Sequence, residues 1–171
     1  MPTNTIKRLS ALAFGLPGAH WTRPENLHLT LRFIGEVDEG KAQDIDSALV
    51  GINAPPFDLS LYGMGFFGKT KAARAVWARV ERNDELIRLQ HKIQSGLQRV
   101  GINSDERKFT PHVTLAHLKG TPRIQLEEFV AGHANFKTPS FRIDKFVLYS
   151  SFLSSSGAIY TPEADYPLTS L

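Results

Sequence analysis

The chain has 171 residues and no cysteine, and its 20 Lys and Arg against 17 Asp and Glu give a net charge of +3. The absence of cysteine excludes disulfide scaffolds, cysteine-bound zinc, iron–sulfur clusters and thiol nucleophiles. With 42% hydrophobic and 22% charged residues, the sequence can fill a core, so disorder is excluded as its main state. It shows neither a secretory signal nor an apolar run of membrane-spanning length, and we expect a cytoplasmic monomer.

Apolar spacing predicts the elements of the first half of the chain. A helix is predicted over residues 3–12, and another runs from a cap at Asp38 to Gly51. Apolar and polar residues alternate over 27–34 and 57–61, which is typical of strands with one buried face. The glycine-rich residues 63–68 break this regularity, and a strand resumes at 74–80.

The second half continues the pattern. A helix over 83–100 has Asn83 as its cap and an apolar stripe along one side. Further predictions are a strand over 109–118, a helix from Pro122, strands at 141–143 and 146–149, and a turn at 154–157 before a strand at 158–160. Together these elements predict an α+β fold of mostly antiparallel strands with outer helices, in one domain over residues 1–171.

The most informative feature is an internal repeat. His28-Leu29-Thr30-Leu31 recurs as His112-Val113-Thr114-Leu115, about half the chain length later. A repeat at this offset predicts two related lobes, each of which contributes one equivalent strand. Because residues i and i+2 of a strand share a face, each His projects beside its Thr while the apolar residues anchor the core.

This pairing suits acid–base chemistry at phosphorus. The ordinary pKa of an imidazole is about 6.5, so of two imidazoles one can act as acid and the other as base near neutral pH. Two threonine hydroxyls can donate to the non-bridging oxygens of a phosphate between them. Two alternatives stay open: both histidines lie on solvated strand faces, or they bind zinc, which would need a third protein ligand that neither strand offers.

The sequence resembles the two-histidine (2H) phosphoesterases, and within them the RNA 2′,3′-cyclic phosphodiesterases, also called 2′-5′ RNA ligases. The resemblance covers most of the chain and rests on Trp21, on residues 24–37, on Arg74-Ala75-Val76-Trp77 and on residues 109–116. It implies a bilobal α+β fold, in which two pseudo-symmetric antiparallel-sheet lobes with outer helices flank a central cleft. It also implies catalysis without a metal or other cofactor.

The resemblance further implies an activity and roles for the site residues. His28 would be the proton donor to the leaving ribose oxygen, His112 the proton acceptor from water, and Thr30 and Thr114 the phosphate ligands. The substrate would be RNA ends or nucleotides that carry a 2′,3′-cyclic phosphate, and the product a 2′-phosphomonoester. The same site would run in reverse as a 2′-5′ RNA ligase.

Two features depart from the family. Members usually begin with a short apolar strand, whereas this sequence starts at the first helix, so we expect either a start that lies late relative to relatives or a first lobe that tolerates the loss of that strand. His117 stands where relatives often carry arginine, which weakens the expectation of a cationic phosphate contact at that position.

Other residues are weaker candidates. Arg32 and Arg107 could bind the phosphate, although exposed arginines are usually solvated. Phe66 and Phe67 could stack a base or fill the core. A basic segment could steer RNA or be a plain solvated surface; it comprises Lys69, Lys71, Arg74, Arg79 and Arg82.

The sequence leaves two alternative functions open. A non-catalytic RNA-binding module would not need a matched acid and base, and the intact motifs argue against it. A related 2H enzyme could act on another cyclic phosphodiester, such as an ADP-ribose cyclic phosphate, and the sequence does not separate that substrate from RNA.

Overall fold

The structure is a computed structural model that describes residues 1–69, 72–154 and 157–169. Its helices are α1 Thr3–Ser10, α2 Glu39–Val50, α3 Asp84–Arg99 and α4 Arg123–Gly132. Its strands are β1 Ala19–Trp21, β2 Phe57–Leu59, β3 Leu61–Phe67, β4 Ala75–Val80, β5 His112–Leu118, β6 Phe141–Ile143, β7 Lys145–Ser154 and β8 Gly157–Pro167. The pairs β1–β5, β3–β4, β4–β5 and β7–β8 are antiparallel, and the predicted α+β class is confirmed.

Local sequence explains where the longer helices begin. The Asn83 side chain accepts a hydrogen bond from the backbone N–H of Leu86 at 2.8 Å, which caps α3 as predicted. Asp38 caps α2 in the same way through the Lys41 N–H. The apolar stripe of α3 is buried, and it comprises Leu86, Leu89, Ile93 and Leu97. Within the described ranges, no α-helix combines the length and apolar character that a membrane span requires.

The chain folds into two compact units, each built from three separate segments. The first contains Met1–Thr30, Leu59–Arg82 and Pro111–Phe141, and the second contains Leu31–Asp58, Asn83–Thr110 and Arg142–Leu171. The first unit holds α1, α4 and a four-stranded sheet in the order β1-β5-β4-β3. The second holds α2, α3 and the β7–β8 hairpin. Strands β2 and β6 form a further two-stranded sheet.

The division differs from the one that the repeat predicts. Each motif was expected in its own lobe, but the histidine and the threonine of both copies lie in the first unit, and only Leu31 of the first copy belongs to the second. The physical reason is strand pairing: Leu29 of the first motif forms an antiparallel bridge with Val113 of the second. The sequence repeat therefore marks two neighbouring chain segments of one unit.

Two local predictions were wrong. Residues 27–34 do not form a continuous strand, because the chain bends at Leu31, where it enters the second unit, and Phe33 is 64% exposed. Residues 63–68 do not break the sheet, because most of them belong to β3. Gly65 is needed there for close packing: an added Cβ would come within 2.5 Å of the Trp77 ring.

Smaller differences concern element ends. The strand expected over 57–61 is divided at Ser60 into β2 and the start of β3, and the strand expected over 109–118 begins at His112. The strand expected at 146–149 extends over the whole of β7. Ser154 and Gly157 pair as the predicted turn requires, while Ser155 and Ser156 lie outside the described residues.

Candidate active site

The His-x-Thr segments of the two motif copies lie side by side in the first unit. In an antiparallel pair, direct partners share a face and sequence neighbours point to opposite faces. The Leu29–Val113 bridge therefore sets His28 across from Thr114, and Thr30 across from His112. Val113 is fully buried beneath them, whereas the four polar side chains are half-buried. The structure thus brings two imidazoles and two hydroxyls to one face.

The His28 ring is oriented by the turn that precedes it. Pro24–Asn26 forms a short 3-10 turn, closed by a hydrogen bond from the Leu27 N–H to the Pro24 carbonyl. The turn presents the Asn26 carbonyl oxygen 2.7 Å from His28 Nδ1. A proton on Nδ1 donated to this carbonyl leaves Nε2 as the nitrogen that can exchange a proton with substrate.

His112 begins β5 and lies against two aromatic rings. Phe67 meets it edge-on, with centroids 4.7 Å apart, and the Trp77 ring is tilted at 5.6 Å. Phe67 and Trp77 also contact each other at 5.0 Å. Their packing restricts the position of the imidazole and excludes water from one side of it.

Trp77 contacts His112 at the candidate site, and the sequence did not predict this contact. Its position in β4 predicts only a core or flanking residue, and it is indeed 8% exposed. The β4–β5 register, however, pairs Trp77 with Thr114 and Arg79 with His112. This pairing involves residues far apart in the chain, so no local pattern in the sequence indicates it.

Phe66 and Phe67 separate onto opposite faces of β3. Phe67 pairs with Ala75 on the face that carries Trp77, and it contacts His112. Phe66 pairs with the buried Val76 and lines a groove beside α4. Both are half-buried, and whether either stacks a base stays a prediction.

The two arginine candidates share one carboxylate in the second unit. Arg32 forms an ion pair with Asp105 at 3.0 Å and donates to the Asn103 carbonyl. Arg107 donates to both oxygens of Asp105, at 2.9 and 2.8 Å. The Arg107 hydrogen bonds, with a contribution from Arg32, hold the pKa of the Asp105 carboxyl well below its usual range. The predicted phosphate contact of these arginines stays a prediction.

The remaining polar candidates lie at the surface of the first unit. His117 is exposed and pairs with His20 across β1 and β5. Four members of the basic segment are exposed, namely Lys69, Arg74, Arg79 and Arg82, while Lys71 lies outside the described residues. In the part of the chain that the structure describes, no group of three His, Asp or Glu side chains could hold a metal ion.

Comparison with known proteins places the chain in a family. The family model described as the 2'-5' RNA ligase superfamily matches residues 2–151. A Thermotoga maritima protein named RNA 2',3'-cyclic phosphodiesterase is 35% identical over 157 residues, which cover 91% of this chain and 81% of that protein. An Escherichia coli protein of the same name is 31% identical over 146 residues, or 85% and 77% of the two chains.

Solved structures show the same fold. The crystal structure of E. coli LigT with 3'-AMP matches with a TM-score of 0.78 and 27% identity, over 99% of this chain and 94% of that one. TT0787 of Thermus thermophilus matches with a TM-score of 0.82 and 23% identity, over 98% and 93%. These matches agree with the α+β architecture described above.

Proposed function

Because the chain belongs to the 2′-5′ RNA ligase superfamily of 2H phosphoesterases, we propose that it hydrolyses 2′,3′-cyclic phosphates at RNA ends or on nucleotides. The observation that carries the proposal is the Leu29–Val113 bridge, which sets each motif histidine beside the threonine of the other motif. The product is a 2′-phosphomonoester, so the bond that breaks joins phosphorus to the ribose O3′.

The two histidines have opposite tasks in this reaction. His112 accepts a proton from water as the water oxygen forms its bond to phosphorus. His28 donates a proton to O3′ as the P–O3′ bond breaks, which keeps the leaving oxygen from departing as an alkoxide. One water is consumed, and the two imidazoles regain their starting protonation by exchange with solvent. The contact between His28 Nδ1 and Asn26 supports Nε2 as the donating atom.

The threonines stabilise charge that builds on the phosphate. As water attacks, negative charge grows on the two non-bridging oxygens, and hydroxyl donors fixed in advance lower the barrier. Thr30 and Thr114 lie diagonally across the bridged pair, so their hydroxyls can approach the phosphate from two sides. With a 5′-hydroxyl in place of water, the same arrangement forms a P–O5′ bond as the P–O3′ bond breaks, which joins the two RNA ends in a 2′-5′ linkage.

The names of the relatives support RNA as the substrate class. Proteins that are 30–35% identical over most of the chain are named RNA 2',3'-cyclic phosphodiesterase, and E. coli LigT has been crystallised with 3'-AMP. A non-catalytic RNA-binding module would require neither a second histidine nor its alignment with the first. We therefore propose the enzyme in preference to the module.

The reaction can be tested without RNA. Purified protein in excess EDTA should convert 2′,3′-cyclic AMP to 2′-AMP, because the proposed chemistry uses only side chains and water. Liquid chromatography against 2′-AMP and 3′-AMP standards identifies the bond that breaks. Formation of 3′-AMP, or loss of turnover in EDTA that added zinc restores, would contradict the proposal. An ADP-ribose cyclic phosphate assayed in parallel tests the alternative substrate.

A further inference from the structure

One face of the four-stranded sheet carries further histidines beside the two motifs. Alternation along β4 brings three residues to a single face, namely Ala75, Trp77 and Arg79. Their cross-strand partners on β5 share that face, and they are His117, Thr114 and His112 in the same order. We call the surface that presents His112, Thr114 and His117 the motif face. Because the β4–β5 register shifts after Val76, His117 returns to this face although it is three residues from Thr114.

His117 has a second histidine directly opposite it. The β1–β5 register pairs His20 with His117, and direct antiparallel partners project to the same face. Backbone hydrogen bonds at Gly18 and Thr22, two residues away on each side of His20, fix this register. Because hydrogen-bonded pairs recur at every second residue, His20 and His117 form such a pair, with Cα atoms about 5.5 Å apart. Their imidazoles are therefore within reach of one ion.

Both imidazoles are free to bind that ion. Each is exposed, and neither forms a hydrogen bond, ion pair or ring contact with another residue in the described ranges. On the β4 side of His117 the neighbour is Ala75, whose methyl group is too small to cover the ring. Neutral imidazole is the commonest side-chain ligand of metal ions. Two free rings at this spacing are therefore two ligands that one ion can use at once.

The nearest charge along β5 opposes a cation only weakly. Lys119 follows His117 by two residues and is exposed, so their backbones lie about 7 Å apart. Water and salt screen the repulsion between an exposed ammonium group and an ion at this distance. Coordination by imidazole nitrogen acts at about 2.0–2.1 Å, which is a far shorter range.

We propose that His20 and His117 bind one divalent transition-metal ion, such as Zn²⁺, and that the bound ion slows the reaction. Imidazole nitrogen suits Zn²⁺, Cu²⁺ and Ni²⁺, whereas Mg²⁺ prefers oxygen ligands. Structural zinc sites usually have four protein ligands. A site with two leaves the other coordination positions to water, so this ion is a reversible ligand and not a part of the fold.

The inhibitory part of this inference rests on the proposed function. The β4 partners of Thr114 and His117 are two residues apart, so these two residues of the motif face lie about 7 Å apart at the backbone. The cyclic phosphodiester carries one negative charge, while a 2′-phosphomonoester carries nearly two at neutral pH. A cation at that distance attracts the product more strongly than the substrate. Slower release of the product should then lower kcat.

Calorimetric titration of the tag-free protein with Zn²⁺ tests the site without any substrate. We expect one ion per chain, and no binding of Mg²⁺. His20→Gln and His117→Gln should each weaken Zn²⁺ binding by about 10²-fold, because two linked ligands gain at least that factor over one. His91→Ala, which removes an exposed histidine of the second unit, should bind Zn²⁺ as the wild-type protein does.

Initial rates on 2′,3′-cyclic AMP test the effect of the ion. The wild-type rate should fall along the calorimetric saturation curve and return in EDTA, while His20→Gln should keep the full rate at the same Zn²⁺ concentrations. Absence of Zn²⁺ binding by the wild-type protein, or undiminished binding in both folded glutamine variants, would overturn the site. Binding without a loss of rate would overturn the inhibition alone. Absence of turnover in EDTA would contradict the proposed function and the inhibition, and calorimetry would still decide the site.

Discussion

Replacing either motif histidine with alanine is expected to lower kcat/KM on 2′,3′-cyclic AMP by about 10²- to 10⁴-fold, the usual contribution of one well-placed acid or base. His28→Ala leaves the ribose O3′ without a proton donor, and His112→Ala leaves the attacking water without a base. Initial rates of 2′-AMP formation measure both effects. His91→Ala is the matched control, because His91 is exposed on α3 in the second unit, and it should retain full activity.

The pH dependence of the same variants distinguishes the two roles. The wild-type profile of kcat/KM should be bell-shaped within the pH range where imidazoles titrate. The donor must be protonated, so it sets the alkaline limb, and the acceptor must be neutral, so it sets the acidic limb. His112→Ala should then keep the alkaline limb and lose the acidic one, and His28→Ala should do the reverse. The opposite result would exchange the roles, and full activity in either variant would refute the mechanism.

Gly65→Ala is expected to damage both stability and activity. The new Cβ would lie 2.5 to 2.8 Å from three atoms of the six-membered ring of Trp77, which is buried. Overpacking of this kind costs about 1–3 kcal/mol. Because Trp77 packs on His112, its displacement should also lower kcat/KM by roughly 10- to 100-fold. Urea unfolding and initial rates measure the two effects.

Two further variants test whether the Trp77 ring is the cause. Trp77→Phe in the Gly65→Ala background removes the ring atoms that meet the new Cβ, so part of the lost stability should return. Gly132→Ala, at the end of α4, adds a methyl group to open space and should stabilise the protein by up to about 1 kcal/mol. Wild-type stability and activity in Gly65→Ala would show that the ring does not hold His112.

The sequence predicted which polar side chains share a strand face better than it predicted which segments pair. Strand alternation places His28 beside Thr30, and His112 beside Thr114, because side-chain period is a local property of the chain. The repeat then indicates that the two pairs belong together. The repeat does not indicate that Leu29 pairs with Val113, because the two segments lie far apart in the chain. The prediction that each motif belongs to its own lobe was therefore wrong.

The glycine-rich segment shows why local patterns fail at such contacts. Glycines usually mark turns, and residues 63–68 were expected to interrupt the sheet. In the structure Gly63 makes a bulge and Gly65 makes room for the Trp77 ring. Both positions require glycine because a residue outside β3 lies close by, Ala134 after α4 for Gly63 and Trp77 of β4 for Gly65. For the same reason the contact of Trp77 with His112 could not be recognised from composition or spacing.

The claim on which the mechanism depends is that both imidazoles act on one phosphate. Its most direct test is an NMR titration of the wild-type protein with 2′-AMP, with the ring signals of His28 and His112 assigned by single substitutions. Both signals should shift along one saturation curve with a common midpoint, while the His91 signal stays in place. A shift of only one motif histidine, or two curves with different midpoints, would mean that the two rings do not share a ligand.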